Sequence, residues 1–334
     1  MTLKEFREDG IIFADWLPWG GLVRPYLMLN KDRSLMATFM YDELVIVPHE
    51  VMLKAVENSS RFFRKLSSGW GVYVEVTQSG EKDLNRMNRY YLTFVYLPDK
   101  KNTKDEKEVF DKGLQIIRES FGVLCNARLL EGQEFLDYLR STICFDRSTS
   151  IMPEIPMYLD AFLTQGIEIS NVGDRFKVNE CSFKVITPMG FVSERVHEVL
   201  GAVNEIGIDY RFVVRFLFMG EKEAKKENER YQRTWCQGRR SVLKLLEYPN
   251  FDGIFGYYMA AFVLSAKPGE EKELDNNVTI VERTLNDRGI VTVDQEHNFK
   301  DVWYGTIPGM VRSNVFAPIL PVHDVSSLLV LPKG

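Results

Sequence analysis

The sequence predicts an α+β fold, and three observations carry that expectation. Strand-like runs with period-two alternation recur in both halves of the chain, as at 70–77 and 210–218. Stretches with apolar residues spaced by three and four, as at 110–121 and 270–287, interleave with them. An early pair of runs joined by a polar turn argues for antiparallel pairing, which a purely parallel sheet lacks. The chain has 334 residues, 45% apolar and 27% charged. That suits a folded protein of about two domains with a core large enough to need no metal or disulfide staple.

In chain order, Leu22–Leu29 and Ser34–Tyr41 read as a hairpin turning through Asn30-Lys31-Asp32-Arg33. Pro48 opens a helix whose stripe is Val51, Ala55, Phe62 and Leu66, closed by Gly69. Trp70, Val72, Val74 and Val76 alternate with Gly71, Tyr73, Glu75 and Thr77, a pattern expected of a half-buried strand. Arg89–Leu97 is a second strand, stopped by Pro98. After the charged stretch 99–108, Phe110, Leu114, Ile117 and Phe121 form one helical face, with Gly122 at its end. A further helix begins at Glu134 and runs to Ile143. The prolines and hydroxyl residues of Ser148–Pro156 place a boundary near 150, giving an N-terminal subdomain 1–150 and a second α+β subdomain 151–334.

Met157–Gln165 reads as a short helix, 167–170 and 183–187 as weak strands, and Ser193–Val203 as a capped helix. Tyr210–Phe218 is the clearest strand. Its even-numbered residues are aromatic or Val; its odd-numbered ones are Arg211, Val213, Arg215 and Leu217. One long helix is expected from about 221 to 247, with Arg230, Arg233, Arg239, Arg240 and Lys244 on a solvated face. A buried strand at 254–266, a helix at 270–287 and a short strand at 290–293 follow.

Several chemistries are excluded by the residues themselves. Neither GxxxxGK[ST] nor GxGxxG occurs, so no phosphate loop is legible, and there is no GxSxG elbow. Cys125, Cys144, Cys181 and Cys236 lie at least 19 residues apart and read as buried thiols. His49-Glu50 and His197-Glu198 lack the second histidine of a zincin. A net charge of −5 gives no reason to expect direct nucleic-acid binding. The aromatics of Tyr257-Tyr258 and Trp303-Tyr304 read as core.

The C-terminal region carries a resemblance. Glu296-x-Asn298 precedes Trp303-x-Gly305-x-Ile307-Pro308-Gly309 and Arg312. This is similar to the "E..N…W.G.LPG…R" signature of the TrbE/CagE/VirB family of type IV secretion ATPases. Other stretches match it in order. They are Phe13-Ala14-Asp15-Trp16-Leu17-Pro18 with Leu29-Asn30-Lys31-Asp32-x-Ser34, and Ala127-Arg128-Leu129-Leu130 with Glu134 and Tyr138-Leu139. Tyr210-Arg211 with Arg215-Phe216, Arg233-x-Trp235 with Arg239-Arg240, Gly256-Tyr257-Tyr258, and Pro318 with Leu320-Pro321 complete the set.

In that family this region precedes a RecA-like ATPase domain. The resemblance therefore implies a non-catalytic N-terminal portion that docks the motor to inner-membrane secretion components and supports its assembly. It implies a peripheral location on the cytoplasmic side of the inner membrane. ATP and magnesium would be expected only with the downstream domain, so no catalytic, cofactor or metal residue is carried over. The family-motif or interface candidates are Trp303, Gly305, Pro308, Gly309, Arg312, Arg211 and Arg215. Partners implied are those membrane components, the chain's own ATPase domain and further copies of itself. The other reading kept open is a stand-alone soluble α+β enzyme or partner-binding protein.

Three local expectations follow from the residues. Pro308 holds Ile307 extended, and Gly309 takes φ > 0 as the third residue of a type II turn. The aromatic stretch Trp16, Leu17, Trp19 and Leu22 is a candidate docking patch, or else core. Arg211 and Arg215, on one strand face, need carboxylates or water; they form either a salt-bridged sheet face or a docking surface for the ATPase domain.

Overall fold

The computed structural model describes residues 13–41, 50, 57, 63, 66, 68–79, 87–98, 108, 110–115, 127–144, 158–172, 175–188, 196–220, 222–227, 255–295, 298–313 and 319–322. Most of the helix expected at 48–66, most of the long helix and its basic cluster, and the boundary near 150 lie outside these residues.

The strands are β1 (Trp19–Arg24), β2 (Leu27–Asn30), β3 (Leu35–Tyr41), β4 (Trp70–Ser79), β5 (Met87–Tyr96), β6 (Arg128–Leu129), β7 (Ile169–Val172), β8 (Arg175–Val178), β9 (Cys181–Pro188), β10 (Tyr210–Met219), β11 (Phe255–Ala266), β12 (Thr292–Asp294) and β13 (Ile319–Pro321). The helices are α1 (Gly132–Ser141), α2 (Leu159–Leu163), α3 (Val196–Ile206), α4 (Glu271–Asn286) and α5 (Phe299–Thr306). Thus the α+β class stands. The strands form one sheet in the order β1-β2-β3-β5-β4-β10-β11-β9-β8-β7, with β6, β12 and β13 pairing β3, β9 and β11. The pairings among the described residues are antiparallel. In particular β4 runs against β10 from Gly71↔Leu217 to Gln78↔Tyr210, so residues from both sides of position 150 share one sheet.

Three elements differ from the sequence reading. The run 22–29 is two strands, β1 and β2, folded back on each other at Pro25-Tyr26; proline has no N–H to give a ladder. The run near 167–187 holds three strands, since β8 forms a hairpin with each neighbour. Third, α5 occupies 299–306, a stretch to which the sequence reading gave no helix or strand.

Both faces of the sheet are covered. On one face Tyr210, Phe212, Val214, Phe216 and Phe218 pack with Leu200 and Val203 of α3 and Leu274, Val278, Val281 and Leu285 of α4. On the other, Tyr73, Tyr91, Val213 and Val263 pack beneath Phe135 and Leu139 of α1, Leu163 of α2, and Trp303 and Tyr304 of α5. β4 is therefore buried on both sides, with Tyr73 at 0% and Glu75 at 1% exposure, and not the half-solvated strand its alternation suggests.

Candidate functional site

The second face of the sheet holds a buried polar centre. Antiparallel register sets Val213 opposite Glu75 and Arg215 opposite Tyr73, which brings Arg211 and Arg215 of β10 alongside the polar residues of β4. Both arginines are 1% exposed. Arg211 meets Glu75 side-on: Nε lies 2.7 Å from Oε1, and Nη2 donates to Oε2 at 2.8 Å. The Tyr138 hydroxyl of α1 also donates to Glu75 Oε2, at 3.2 Å. From Tyr138 the network continues through Thr93 (3.3 Å) to Thr38 (2.8 Å). A buried ion pair is tolerable only when most of its donors and acceptors are met; here Glu75 Oε2 accepts from two donors, while Oε1 faces Arg211 Nε as an ion pair without a well-aligned hydrogen bond.

The remaining acceptors come from α5. A helix leaves its last four carbonyls without intrahelical donors. Here the Trp303 carbonyl accepts from Thr306 Oγ1 (2.6 Å) and the Tyr304 carbonyl from the Ile307 N–H (3.0 Å). The Gly305 carbonyl accepts from Arg215 Nη1 (3.4 Å), and the Thr306 carbonyl from Arg211 Nη2 (2.6 Å). Arg211 Nη1 further donates to the Thr306 hydroxyl and to the Thr142 carbonyl just past α1. Two cations thus sit at the negative end of the α5 dipole, where positive charge is favoured. Gly305 permits the approach: a Cβ there would lie 2.7 Å from Met259 Sδ and 3.3 Å from Arg215 Nη1.

Beyond α5 the chain turns sharply. Ile307 is extended (φ −76°, ψ 126°), Gly309 has φ +98°, and the Met310 N–H donates to the Ile307 carbonyl at 3.0 Å. These are the marks of a type II turn with Pro308-Gly309 at its centre, as the sequence predicts. A second turn follows, with the Ser313 N–H on the Met310 carbonyl. Arg215 Nη1 donates to that same carbonyl at 2.8 Å. Val311 then lies over Gly71, where a Cβ would come within 2.6 Å of its Cγ1.

The N-terminal segment closes the site from the sheet edge. Trp19 Nε1 donates to the Pro308 carbonyl at 2.9 Å. Gly309 sits against Pro18 and Asn30, 2.9 and 3.2 Å from where its Cβ would be. Phe13 stacks on Trp303, and Trp16 tilts against Tyr304, both with ring centroids 6.1 Å apart. Lys31 ties the hairpin turn back, its N–H on the Pro18 carbonyl and its Nζ on the Ala14 carbonyl.

Four separated stretches that carry the family resemblance therefore meet at one place: 13–18 with 29–34, 128–139, 210–216 and 303–312. Trp303, Gly305, Pro308 and Gly309 are buried; Arg312 is exposed. This corrects two expectations. Arg211 and Arg215 present no surface for docking, because α5 and its turn cover them and supply their acceptors. The docking-patch reading of 16–22 fails at Leu17 and Trp19, which are 1% and 0% exposed because they pack under the α5 turn. Sequence reasoning did not single out Glu75, Thr306 or Tyr73. A lone carboxylate in an otherwise apolar strand, opposite a strand bearing two arginines, was the signal available.

Charge states follow the burial. Burial pushes the Tyr73 phenol well above its ordinary pKa, and the neighbouring Arg215 draws it some of the way back. Burial and then the Glu75 charge raise Tyr138. Both phenols therefore stay protonated, and Tyr138 donates to Glu75. Burial lowers Arg215, opposed by Tyr73. Among the described residues no group of three His, Cys, Asp or Glu side chains is placed to hold a metal. The centre fixes the fold of a covering segment, with Arg211 and Arg215 tied to its carbonyls.

A buried polar centre of this kind, joining two strands to the segment that covers them, defines a structural hub. No family profile matches the chain. At 22% identity, 99% of the chain is similar to the conjugal transfer protein TrbE of Rhizobium radiobacter, spanning 50% of that protein. At 21% identity, 61% of it is similar to a probable conjugal transfer protein TrbE of Sinorhizobium fredii (strain NBRC 101917 / NGR234), spanning 34% of that protein. Over nearly its whole length the chain is thus similar to TrbE conjugal transfer proteins, and it spans about half the length of the first of these relatives. Among solved structures it is similar to a berberine bridge enzyme variant (TM-score 0.36, 11% identity, 78% of this chain and 42% of that one). It is also similar to a glycopeptide hexose oxidase (TM-score 0.33, 12% identity, 76% and 42%). Neither likeness is close enough to bear on fold or function.

Proposed function

We propose that this chain is the non-catalytic N-terminal portion of a type IV secretion or conjugal-transfer ATPase. It docks the motor to inner-membrane secretion components and supports its assembly. The observation that carries this reading is the convergence of the resembling stretches on one hub, beside a relative named for conjugal transfer that is similar over 99% of the chain. On this reading the hub sets the course of residues 299–313 on the way to the ATPase domain. Nucleotide and magnesium chemistry belong to that downstream domain.

Membrane contact on this reading is peripheral and made through partners. No helix among the described residues is long and apolar enough to cross a membrane. Fractionation of cells that produce the tagged chain, with and without the secretion genes, tests this directly. The chain should sediment with inner membranes only when those genes are present. Equal sedimentation in their absence, or none in their presence, would overturn the docking role.

A further inference from the structure

The hub contains two guanidinium groups and, among the described residues, one carboxylate that meets them. Glu75 pairs with Arg211. Arg215, equally buried, has the Gly305 and Met310 carbonyls and the Tyr73 phenol around it. A guanidinium does not shed its proton under ordinary conditions. The excess positive charge is therefore balanced by dipoles, namely the C-terminal end of α5 and the carbonyl of the turn after it. Lifting residues 298–313 off the sheet would remove those dipoles and both carbonyl acceptors of Arg215, leaving it only the Tyr73 phenol.

The outer side of the same segment is held by the hairpin end. Trp19 Nε1 grips Pro308, Pro18 and Asn30 seat Gly309, and Phe13 and Trp16 stack on Trp303 and Tyr304. The hairpin end is itself one tied unit, through Lys31 to Pro18 and Ala14 and through Asn30 to Ser34. Its ladder to the rest of the sheet is short: β2 meets β3 at only Met28↔Met36 and Leu29↔Leu35. Neither layer can leave without uncovering polar groups of the other.

We infer that residues 13–34 and 298–313 form one latch, which opens and closes as a unit with Arg215 as its pin. The chain leaves the latch toward β13, which pairs β11 at Phe255–Tyr257. A displacement of that exit is thereby transmitted to the hairpin end at the sheet edge, and the reverse. This inference stands on the geometry alone and does not rest on the proposed docking role.

Hydrogen exchange read by mass spectrometry on the whole 334-residue chain tests it. Arg215→Met removes the pin, and Trp19→Phe removes the hairpin's bond to Pro308. Each should speed exchange about tenfold, the scale of one lost buried hydrogen bond, in both 13–34 and 298–313. Exchange in α4 and β9 should stay unchanged. Arg215 makes no hydrogen bond to the hairpin and Trp19 none to β10, so the distant response is the diagnostic one. Acceleration confined to one segment, or spread evenly over the sheet, would overturn the latch. If Arg215→Met does not fold, Trp19→Phe decides by the same criterion.

Discussion

Replacing Glu75 by glutamine keeps shape and removes one charge. It would leave Arg211 fully buried, facing an amide where a carboxylate now engages Nε at 2.7 Å and Nη2 at 2.8 Å. Breaking a buried pair in this way costs about 3–5 kcal/mol, because the orphaned charge keeps its desolvation penalty. An unfolding entropy of about 2.1 cal/mol/K per residue gives about 0.7 kcal/mol/K for 334 residues. The thermal midpoint should therefore fall by about 4–7 °C at neutral pH. The same loss should persist in 0.5 M salt, since a pair at 1% exposure is little screened. The half-exposed Arg128–Glu134 pair is the control, worth about 0.2–1 kcal/mol and weakened by salt. A double-mutant cycle with Arg211→Met should return a coupling of about 2 kcal/mol or more. A midpoint shift below about 1 °C for Glu75→Gln would refute the reasoning, since Arg211 would then be satisfied without the carboxylate.

Gly309→Ala should cost about 2–3 kcal/mol in chemical denaturation, from φ +98° and the Pro18 contact together. Gly166→Ala, at φ +73° with open space around it, should cost only about 1 kcal/mol; equal costs would deny the role of the Pro18 contact. Burial, and then Asp294, raise the pKa of Glu282 above its ordinary value, opposed by Lys184. The native state therefore holds that proton more tightly, and stability falls as pH rises through the carboxylate range. Glu282→Gln should raise the midpoint at pH 7 and leave it unchanged near pH 3.5; a pH-independent effect would point to packing instead. Arg312→Ala should leave the midpoint within 1 °C, since that side chain is exposed with no ion pair among the described residues, while membrane sedimentation serves as the readout of any surface role. The purified chain should show no magnesium-dependent ATP hydrolysis, and turnover that survives repeated purification would contradict the proposed division of labour.

The strands of the central sheet were legible because their alternation is strong, and the Pro308-Gly309 turn because proline and glycine each fix a dihedral there. The polar centre was legible in part: two arginines on one strand face call for a carboxylate, and Arg211 has Glu75, but the burial of the face was not. In an antiparallel sheet a polar residue at every second position ordinarily marks a wet face. That rule predicts solvent beside Glu75, Arg211 and Arg215. Here α1, α2 and α5 cover the face, and the polar groups are matched to one another across strands 136 positions apart in sequence. No local pattern reports such a pairing. Similarly α5 escaped notice because it spans only 8 residues and carries a glycine in its last turn, where its fit to Met259 requires one. Periodicity cannot register so short a helix.

The position of the signature residues also changes how their substitution must be interpreted. Trp303, Gly305, Pro308 and Gly309 touch Phe13, Met259, Trp19 and Pro18, not solvent. A change at any of them acts first on the packing of α5 against the sheet. Under the proposed function, any effect on membrane association would then reach the exterior through residues 310–313 and the hairpin end. A direct contact with a partner predicts the opposite pattern: lost association with unchanged stability. The two mechanisms separate on one axis, stability against association measured in the same variant. Buried members of the signature fall on the stability side of that axis by geometry alone, whereas Arg312 is the position from which a surface contact could be detected.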